Sequence, residues 1–358
     1  MIADSLKIIL PAVLTFIVGI LCTPPLTNYL YKNELWKKKS GKKASDGTET
    51  PIFNKLHEHK EVGTPRLGGI VIWFSVCVVL GGLWILGFLF NDPMIDKLDL
   101  LSRSQTWIPF AVLLLGAFVG FIDDAMEIGG KSDNHSGGLS SRKRLLIATL
   151  IGALCGWWFI AKLDVVSVSF PVVGEIWLGY YIIPLYAFIM AAIYSSGVID
   201  GLDGLAGGVF AVIFAAYSLI AFFQNQIDVA GFCAAITGGI LAFLWFNIPP
   251  ARFYMSKTGS MALTLTLGVI AFMTDVLGDG YGITVLPIIA LPLVITILSV
   301  VMQKISKKLR NGKKIFLVAP VHHHFEALGW PSYKVTMRYW IVAVISSFVG
   351  IILALTLR

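Results

Sequence analysis

Ten long apolar segments constrain the fold of this chain more than any other feature of its sequence. Hydrophobic residues make up 56% of the 358 residues, charged residues only 14%, and the mean hydropathy is +0.80. A segment of ~20 mostly apolar residues is long enough to cross a bilayer as a helix. The sequence therefore predicts an all-α integral membrane protein with ten transmembrane helices in a single polytopic domain, residues 1–358. The predicted spans are residues 7–30, 67–90, 105–123, 144–161, 180–198, 205–223, 228–246, 260–278, 282–303 and 337–357.

Three shorter features complete this prediction. Residues 164–179 (DVVSVSFPVVGEIWLG) alternate in polarity and are too polar to span a membrane, which predicts a small β-hairpin at the membrane surface. The N-terminus has no small-residue cleavage site, so the first span is expected to be retained rather than removed as a signal peptide. The four cysteines each lie inside an apolar run, so they are expected to be small buried side chains.

Lysine and arginine are distributed unequally between the two sides of the predicted membrane. The loops after spans 1, 3, 7 and 9 hold 23 of the 28 basic residues. Because basic loops stay on the cytoplasmic side, the sequence predicts that both termini face outward. The net charge of +7 then follows largely from topology, and it does not indicate nucleic-acid binding.

Four polar clusters fall at the cytoplasmic ends of their spans, although the topology was deduced from lysine and arginine alone. They are GFIDDAME with Asp123, Asp124 and Glu127; SSGVIDGLDGLAGG with Asp200 and Asp203; WFNIPPARFYMSKTGS with Asn247, Arg252 and Lys257; and APVHHHFEALGWP with His322, His323, His324 and Glu326. Ionisable residues in membrane segments are costly and mark candidate functional sites.

Two of these clusters also have a purely structural interpretation. Asp123 and Asp124 could reach into the headgroup region, or they could hold Mg²⁺ or accept a proton from an attacking oxygen. Asp200 and Asp203 share a face if their segment is helical, and one of them could instead cap the following helix. Three consecutive histidines cannot all bind one metal, but their apolar, turn-rich surroundings predict an ordered element against the membrane.

Carboxylates, basic residues and histidines at a membrane surface suit an anionic phosphorylated substrate. Carboxylates can hold a metal that offsets phosphate charge, and basic residues can complement the remaining charge. The sequence contains no Gly-rich Walker or dinucleotide motif, so ATP-driven chemistry is not expected. The residues therefore favour phosphoryl transfer between a soluble donor and a lipid acceptor.

These motifs resemble those of the phospho-N-acetylmuramoyl-pentapeptide transferases, the MraY family, within the polyprenyl-phosphate N-acetylhexosamine-1-phosphate transferase superfamily. The resemblance covers most of the chain, and the histidine element with GWP is specific to this branch. Ten spans with both termini outside are also the architecture of the family. The matching motifs are GTPRLGGI (63–70), GFIDDAME, DGLDGLAGG, LWFN, APVHHHFEALGWP and RYWI (338–341).

The resemblance implies a reaction, a cofactor and an oligomeric state. Phospho-MurNAc-pentapeptide would pass from UDP-MurNAc-pentapeptide to undecaprenyl phosphate, giving lipid I and UMP on the cytoplasmic face of the bacterial inner membrane. Mg²⁺ and a homodimer are also implied. By position, Asp123, Asp124 and Asp200 are implied as catalytic and metal-associated residues, with Asp123 as the base. The expected substrate-binding residues are Thr64, Arg144, Asp203, Asn247, Tyr254, Lys257, Gln303, His322, His323 and His324, with Asp203 near the nucleoside and Asn247 and Tyr254 at the uridine.

Several positions depart from the family pattern. Lys257, in YMSKTGS, stands where the family motif F-M-G-D-x-G-S has a magnesium-binding aspartate, and Glu127 occupies a position that is often lysine. Tyr194 and Gly197 stand where the family has asparagines. Lys257 could complement phosphate and partly replace the metal, or pair with Glu127 or Asp200 in a rearranged site. The protein could also be a weakened or inactive relative.

Two other functions remain open at this point. One is transfer from a different UDP-sugar such as UDP-GlcNAc, against which the histidine element argues. The other is a non-catalytic protein that binds or transports a nucleotide-sugar or a lipid. Transport would be favoured by many polar residues at mid-membrane, but the sequence shows mainly Asp275 near the outer end of span 8, where it is expected to cap that helix.

Overall fold

The fold is a bundle of long helices with one small β-hairpin. The computed structural model of the protein describes residues 2–38, 62–90, 98–101, 104–130, 138–170, 173–276 and 280–356. The elements are α1 (Ile2–Lys32), α2 (Ile70–Phe90), α3 (Ser104–Ile128), α4 (Ser141–Leu163), β1 (Ser167–Phe170), β2 (Gly174–Trp177), α5 (Ile182–Ser196), α6 (Leu205–Phe223), α7 (Ile227–Asn247), α8 (Ser256–Val276), α9 (Gly282–Ile289), α10 (Leu291–Leu309), α11 (Val321–Ala327) and α12 (Ser332–Thr356). Two 3₁₀ turns, Gly179–Tyr181 and Gly197–Ile199, flank α5.

The predicted membrane-spanning segments are confirmed as helices. Within the described ranges, nine helices are long and apolar enough to cross a membrane, and α9 with α10 forms a tenth candidate span that is bent. Exposed large apolar side chains cover the outer faces of α1, α2, α4 and α12, as expected where helices meet lipid rather than water.

Helix α8 lies at the centre of the bundle. Every residue from Thr258 to Asp275 is buried, and α3, α5, α6 and α9 pack around it. The hydroxyl groups of Thr264, Thr266 and Thr274 donate to carbonyl oxygens one turn earlier in the same helix. These internal hydrogen bonds let α8 carry polar side chains without exposing them to water or lipid.

Two glycines bring α3 against α8. A Cβ atom at Gly120 would collide with the backbone of Lys257 and Thr258, and one at Gly116 would collide with the backbone one turn later in α8. Because Gly116, Gly120 and Asp124 recur every four residues, they share one face of α3. The glycines therefore allow close packing of the two helices. This packing delivers the Asp124 carboxylate to the N-terminus of α8.

The predicted β-hairpin is confirmed, and Asp275 attaches it to the bundle. Strands β1 and β2 pair antiparallel, with Ser167 opposite Trp177. The carboxylate of Asp275 accepts hydrogen bonds from the backbone N–H groups of Ser169 at 3.3 Å and Ile283 at 3.1 Å. The expectation that Asp275 caps the end of α8 was therefore wrong. It joins β1 to the first turn of α9 instead, since free backbone N–H groups occur at the start of a helix.

The predicted span 282–303 is not one straight helix. Helix α9 ends at Ile289, α10 begins at Leu291, and their axes are bent by 73°. Pro292 lies in the first turn of α10, where it lacks the N–H that would continue the hydrogen bonding of α9. A hydropathy pattern detects the apolar run but not this break.

Several helices also extend further into the basic loops than the predicted spans. Helix α10 continues to Leu309 and includes Lys304, Lys307 and Lys308, while α12 begins at Ser332 and includes Lys334. Long basic side chains can reach the headgroup region from the terminal turns of a helix. A lysine therefore marks the membrane boundary but not the end of the helix.

Candidate active site

Two aspartates from elsewhere in the chain bind the N-terminus of α8. The Oδ1 atom of Asp124 accepts the backbone N–H of Lys257 at 3.1 Å, and its Oδ2 accepts the N–H and hydroxyl of Thr258 at 2.8 and 2.6 Å. Asp200 accepts the N–H of Ser256 at 2.9 Å. The first turn of a helix has unsatisfied N–H groups and the positive end of the helix dipole. Asp124 and Asp200 therefore cap α8 in place of a residue of its own.

Asp123 has different partners from its neighbour Asp124. Its Oδ2 accepts the Nη1 of Arg144 at 2.8 Å, and its Oδ1 accepts the backbone N–H of Leu139. Both Asp123 and Arg144 are buried. The Nε of Arg144 is buried as well and has no hydrogen-bond partner in the part of the chain that the structure describes. One donor of the Arg144 guanidinium is therefore left unsatisfied within the described part of the chain.

The loop between α5 and α6 is held against the loop between α7 and α8. Asp203 accepts the N–H of Ala251 at 3.4 Å. Asn247 accepts the N–H of Gly204 at 2.9 Å and donates to the carbonyl oxygen of Phe253 at 2.8 Å. The Asn247 side-chain amide therefore uses one acceptor and one donor to fix both loops.

This loop corrects two expectations about the aspartates. Residues 200–204 are not helical, so Asp200 and Asp203 do not share a helix face. Neither carboxylate caps α6, because the N-cap position is Gly204, with φ +74° and no side-chain hydrogen bond. The glycine adopts this left-handed backbone without strain, and the aspartates bind N–H groups of the α7–α8 loop instead.

The segment before α2 pairs with the same α7–α8 loop. The N–H of Tyr254 donates to the carbonyl oxygen of Pro65 at 2.9 Å, and the N–H of Gly68 donates to that of Tyr254 at 2.9 Å. Thr64 is half-buried beside this pairing. Thr64 and Tyr254 are thereby brought to the same region as Asn247, although 190 residues separate them in sequence.

Glu127 forms a buried ion pair with Arg66. The Nη1 of Arg66 lies 2.6 Å from the Oε2 of Glu127, and the two side chains are only 15% and 10% exposed. Arg66 also interacts electrostatically with Asp124. The hypothesis that Lys257 pairs with Glu127 is therefore wrong, because Arg66 already neutralises that carboxylate.

Lys257 lies within the group of aspartates. Its side chain is half-buried and interacts electrostatically with Asp200, Asp124 and Asp123, and with the like charge of Arg144. Its position is fixed from the backbone, since its N–H binds Asp124 and α3 packs directly against its carbonyl group. The structure therefore places the amino group of Lys257 within electrostatic range of three carboxylates.

The histidines lie on α11 and separate into two environments. His322 and His323 are buried, with ring centroids 4.3 Å apart, and the Nδ1 of His323 lies 2.8 Å from Glu326. A Cβ atom built on Gly201 would lie 2.5 Å from the Nε2 of His322 and 2.8 Å from that of His323. The absence of a side chain at Gly201 thus allows these two rings to approach the Asp200 loop.

His324 and Gln303 order the segment that precedes α11. The Nδ1 of His324 accepts the N–H of Leu317 at 3.2 Å. Gln303 accepts the N–H groups of Ile315 and Phe316, each at 3.0 Å, and donates to the carbonyl oxygen of Phe316 at 2.9 Å. Both side chains therefore position backbone in this structure, whatever contact they make with a substrate.

The carboxylates as arranged do not fit a Mg²⁺ ion held jointly by Asp123, Asp124 and Asp200. Among the described residues, no three Asp, Glu, His or Cys side chains are grouped so that they could hold a metal. Both oxygens of Asp123 and both of Asp124 accept hydrogen bonds from protein donors. The ammonium of Lys257 adds positive charge at the same place. The Mg²⁺ implied by the resemblance therefore stays a prediction.

Comparison with known proteins gives the family. Residues 106–275 match Glycosyl transferase family 4. A phospho-N-acetylmuramoyl-pentapeptide-transferase of Francisella philomiragia is 32% identical over 97% of this chain and 92% of its own length. The chain belongs to this transferase family. Proteins of the same name from Geobacillus sp. strain WCH70 and Listeria monocytogenes are each 31% identical, over 96% and 83% of this chain and 96% and 86% of their own lengths.

Membership makes the protein a glycosyl-1-phosphate transferase, and the match to Glycosyl transferase family 4 runs from α3 to α8. That range contains Asp123, Asp124, Arg144, Asp200 and Lys257, which the structure brings together. The residues packed around this group, as the contacts above show, are Thr64, Asp203, Asn247, Tyr254, His322 and His323. His324 and Gln303 lie one step further out, where they hold the segment before α11.

Sequence reasoning missed two residues of this candidate site, Thr258 and Arg66. Thr258 directly follows Lys257 but gives no signal of its own, because its partner Asp124 lies 134 residues away. Arg66 occurs inside the matched motif GTPRLGGI, and Glu127 is an unusual acid at its position. Opposite charge made Arg66 a possible partner for Glu127, but 61 residues separate the two and no local sequence pattern selects this pair.

Proposed function

We propose that this transferase moves phospho-MurNAc-pentapeptide from UDP-MurNAc-pentapeptide to undecaprenyl phosphate, giving lipid I and UMP, in the first membrane step of peptidoglycan synthesis. The observation that supports it is the meeting of Arg144, Lys257 and three aspartates at one end of the apolar helices. A soluble anionic donor and a membrane-bound phosphate can both reach such a boundary. The name shared by relatives that match nearly the whole chain supports the choice of donor.

The reaction exchanges one phosphorus–oxygen bond for another. A non-bridging oxygen of the lipid phosphate forms a bond to the donor phosphorus that carries MurNAc. The bond from that phosphorus to the bridging oxygen breaks, and its electron pair leaves with UMP. When the acceptor phosphate enters as a dianion, no proton is transferred. When it enters as a monoanion, one proton passes to a nearby carboxylate, for which the resemblance implies Asp123.

Positive groups at fixed positions are the main requirement of this step, because two anionic phosphates must approach each other. Arg144 retains a buried Nε donor, and Lys257 presents a half-buried ammonium. We assign both to phosphate oxygens of the donor. Asp200 binds the N–H of Ser256, the residue before Lys257, and interacts electrostatically with the lysine, so it helps to position Lys257.

The remaining candidate residues suit recognition of the donor. The ring of Tyr254 can stack on uracil, and Asn247 shapes the loop that carries this tyrosine. Thr64, Asp203, His322 and His323 are assigned to the sugar and nucleoside side of the donor. Gln303 and His324 act through the segment they order before α11.

The cellular setting of this proposal follows from the basic loops. The site lies on the cytoplasmic face of the bacterial inner membrane, with both termini outside. Thiol labelling of single cysteines placed in the Lys308 and Lys162 regions, from each side of the membrane, tests this orientation. The homodimer implied by the resemblance is tested by sedimentation velocity in detergent.

The reaction is tested by UMP release in detergent from UDP-MurNAc-pentapeptide and undecaprenyl phosphate, with and without added Mg²⁺. We expect turnover only when both substrates are present. We also expect a strong preference for UDP-MurNAc-pentapeptide over UDP-GlcNAc as the donor. A preference for UDP-GlcNAc would overturn the choice of donor. Tight UDP-sugar binding by a folded protein that never turns over would instead favour a non-catalytic role.

A pair of variants separates the site from the fold. Asp200→Asn keeps an oxygen that can accept the N–H of Ser256 but loses the charge beside Lys257, so turnover should fall by roughly 100-fold. Asp164→Asn makes the same change at the C-cap of α4, where asparagine also tolerates the left-handed backbone. Equal activity in the two variants would remove Asp200 from the proposed mechanism.

A further inference from the structure

The charges of the site fall into three groups with different partners. Arg66 and Glu127 neutralise each other. Asp123 is paired with Arg144. The third group is Asp124, Asp200 and Lys257, linked through the first turn of α8. The positive charge of this third group is carried by a side chain of the protein itself.

The third group offers few oxygen atoms to a divalent cation. Mg²⁺ requires near-octahedral oxygen ligands, and in phosphate enzymes it is bound by one or two carboxylates together with the substrate phosphates. Asp124 uses Oδ1 for the N–H of Lys257, and Oδ2 for the N–H and hydroxyl of Thr258. Because Oδ2 already accepts two hydrogen bonds and Oδ1 accepts one, Asp124 has at most one lone pair left for a metal unless it gives up a donor that caps the central helix.

The backbone of Lys257 is fixed at the start of α8, so its side chain begins among the carboxylates. Its N–H is bound to Asp124, and Gly120 of α3 packs against its carbonyl group. Its ammonium remains in the field of Asp123, Asp124 and Asp200. A divalent ion placed among these carboxylates would be repelled by the lysine, whereas a substrate phosphate would be attracted by it.

We infer that Lys257 supplies to the donor diphosphate the positive charge that a divalent metal would otherwise supply, so that this transferase works without a divalent metal. The inference rests on the proposed function and specifies how the phosphates are bound. The ammonium donates to the oxygens of the UMP phosphate as it leaves, and Arg144 donates through its Nε to the phosphate being transferred.

The first test is the metal requirement of the wild-type protein. UMP release is measured in the presence of Mg²⁺ and again after treatment with EDTA, with all else equal. We expect the EDTA-treated protein to retain most of its turnover. If turnover disappears in EDTA and returns with Mg²⁺, the inference is overturned while the proposed function stands. If turnover is absent under both conditions in a folded protein, the proposed function itself fails.

The second test changes the lysine. Lys257→Asp should lose activity in EDTA by about tenfold or more and recover part of it with Mg²⁺, since a carboxylate then replaces the ammonium. The matched control is Lys308→Asp, the same charge change at an exposed position on α10, which should leave metal dependence unchanged. Identical metal dependence in wild type and Lys257→Asp would overturn the inference.

Two further measurements do not depend on the stability of the aspartate variant, and the first of them does not depend on turnover. Electron paramagnetic resonance of Mn²⁺ titrated into the protein with UMP reports metal binding directly. We expect no saturable Mn²⁺ site in the wild type.

Lys257→Met, which preserves side-chain length without charge, should lose activity by about tenfold or more at every Mg²⁺ concentration. A saturable Mn²⁺ site in the wild type, or full activity of Lys257→Met, would contradict the inference.

Discussion

Asp124 should stabilise the whole bundle as well as the site, because it caps the central helix. Asp124→Ala removes the acceptor of three donors, two of them backbone N–H groups of α8. A hydrogen bond to a charged group contributes about 1.5–3 kcal/mol to stability. The alanine variant also avoids the desolvation cost of burying a carboxylate, which offsets part of the loss of three such bonds. We therefore expect the free energy of unfolding to fall by about 3 kcal/mol.

Thr258→Val isolates one of these three hydrogen bonds. Valine keeps the shape of threonine but cannot donate to the Oδ2 of Asp124, which should cost about 1.5 kcal/mol. The same substitution at Thr149 removes a hydroxyl whose exposed hydrogen bond goes to the carbonyl oxygen of Leu145, one turn earlier in α4. Thr149→Val is therefore expected to stay within about 0.5 kcal/mol of wild type.

The assay is unfolding in mixed micelles, followed by reaction of a fluorogenic thiol reagent with the native cysteines. Cys155 and Cys233 are buried, and Cys22 and Cys77 are half-buried, so unfolding exposes them. In the double variant of Asp124 and Thr258 the two losses should fall short of additivity by about 1.5 kcal/mol. Additive losses, or a cost for Asp124→Ala below about 1 kcal/mol, would refute the reasoning.

Three further perturbations test other parts of the structure. Ser256 has φ +58°, a left-handed backbone conformation that costs a residue with a side chain about 1–2 kcal/mol. Glycine avoids this cost but loses more backbone entropy on folding. Ser256→Gly should therefore raise the free energy of unfolding by about 0.5–1 kcal/mol. Arg66→Met or Glu127→Met alone should lower it by about 3 kcal/mol, and the double variant by much less, because single removal leaves a buried charge unpaired. Gln303→Leu should cost about 2 kcal/mol and increase proteolysis of residues 310–320, since three hydrogen bonds to that segment are lost.

Each of these perturbations has its own control. Ser260→Gly, inside α8, should destabilise by about 0.5–1 kcal/mol, in contrast to Ser256→Gly. If the Arg66 and Glu127 double variant is as unstable as the sum of its parts, the two side chains do not act as a pair. Unchanged cleavage of residues 310–320 in Gln303→Leu, measured by mass spectrometry, would show that the segment is ordered by other contacts.

Sequence alone predicted most of the architecture of this protein. Runs of about 20 apolar residues can be accommodated in a bilayer only as helices, because every backbone polar group must then be satisfied within the segment. The segment at 164–179 predicted the hairpin because its polar and apolar residues alternate with the period of two that is typical of β-strands. Clustering of polar motifs at the basic ends of the spans also predicted that these motifs would lie close together, and Asp124, Asp200 and Lys257 do.

The roles of individual residues within the site could not be predicted in this way. Asp123 and Asp124 are adjacent and chemically identical, yet one pairs with Arg144 and the other caps α8. Successive residues on a helix point in directions about 100° apart, so their partners depend on which helices pack on each face. The pairing of Arg66 with Glu127 joins residues 61 positions apart.

Local sequence therefore determined which segments cross the membrane and which chemistry gathers at one end of them. Tertiary structure decided that Asp124 binds the backbone of α8 whereas Asp123 binds the guanidinium of Arg144. It also decided where span 9 bends and which residues surround Lys257. The physical reason is the range of the interactions: hydropathy and helix periodicity act within one segment, whereas hydrogen bonds and ion pairs between helices depend on packing distances that a single segment does not contain.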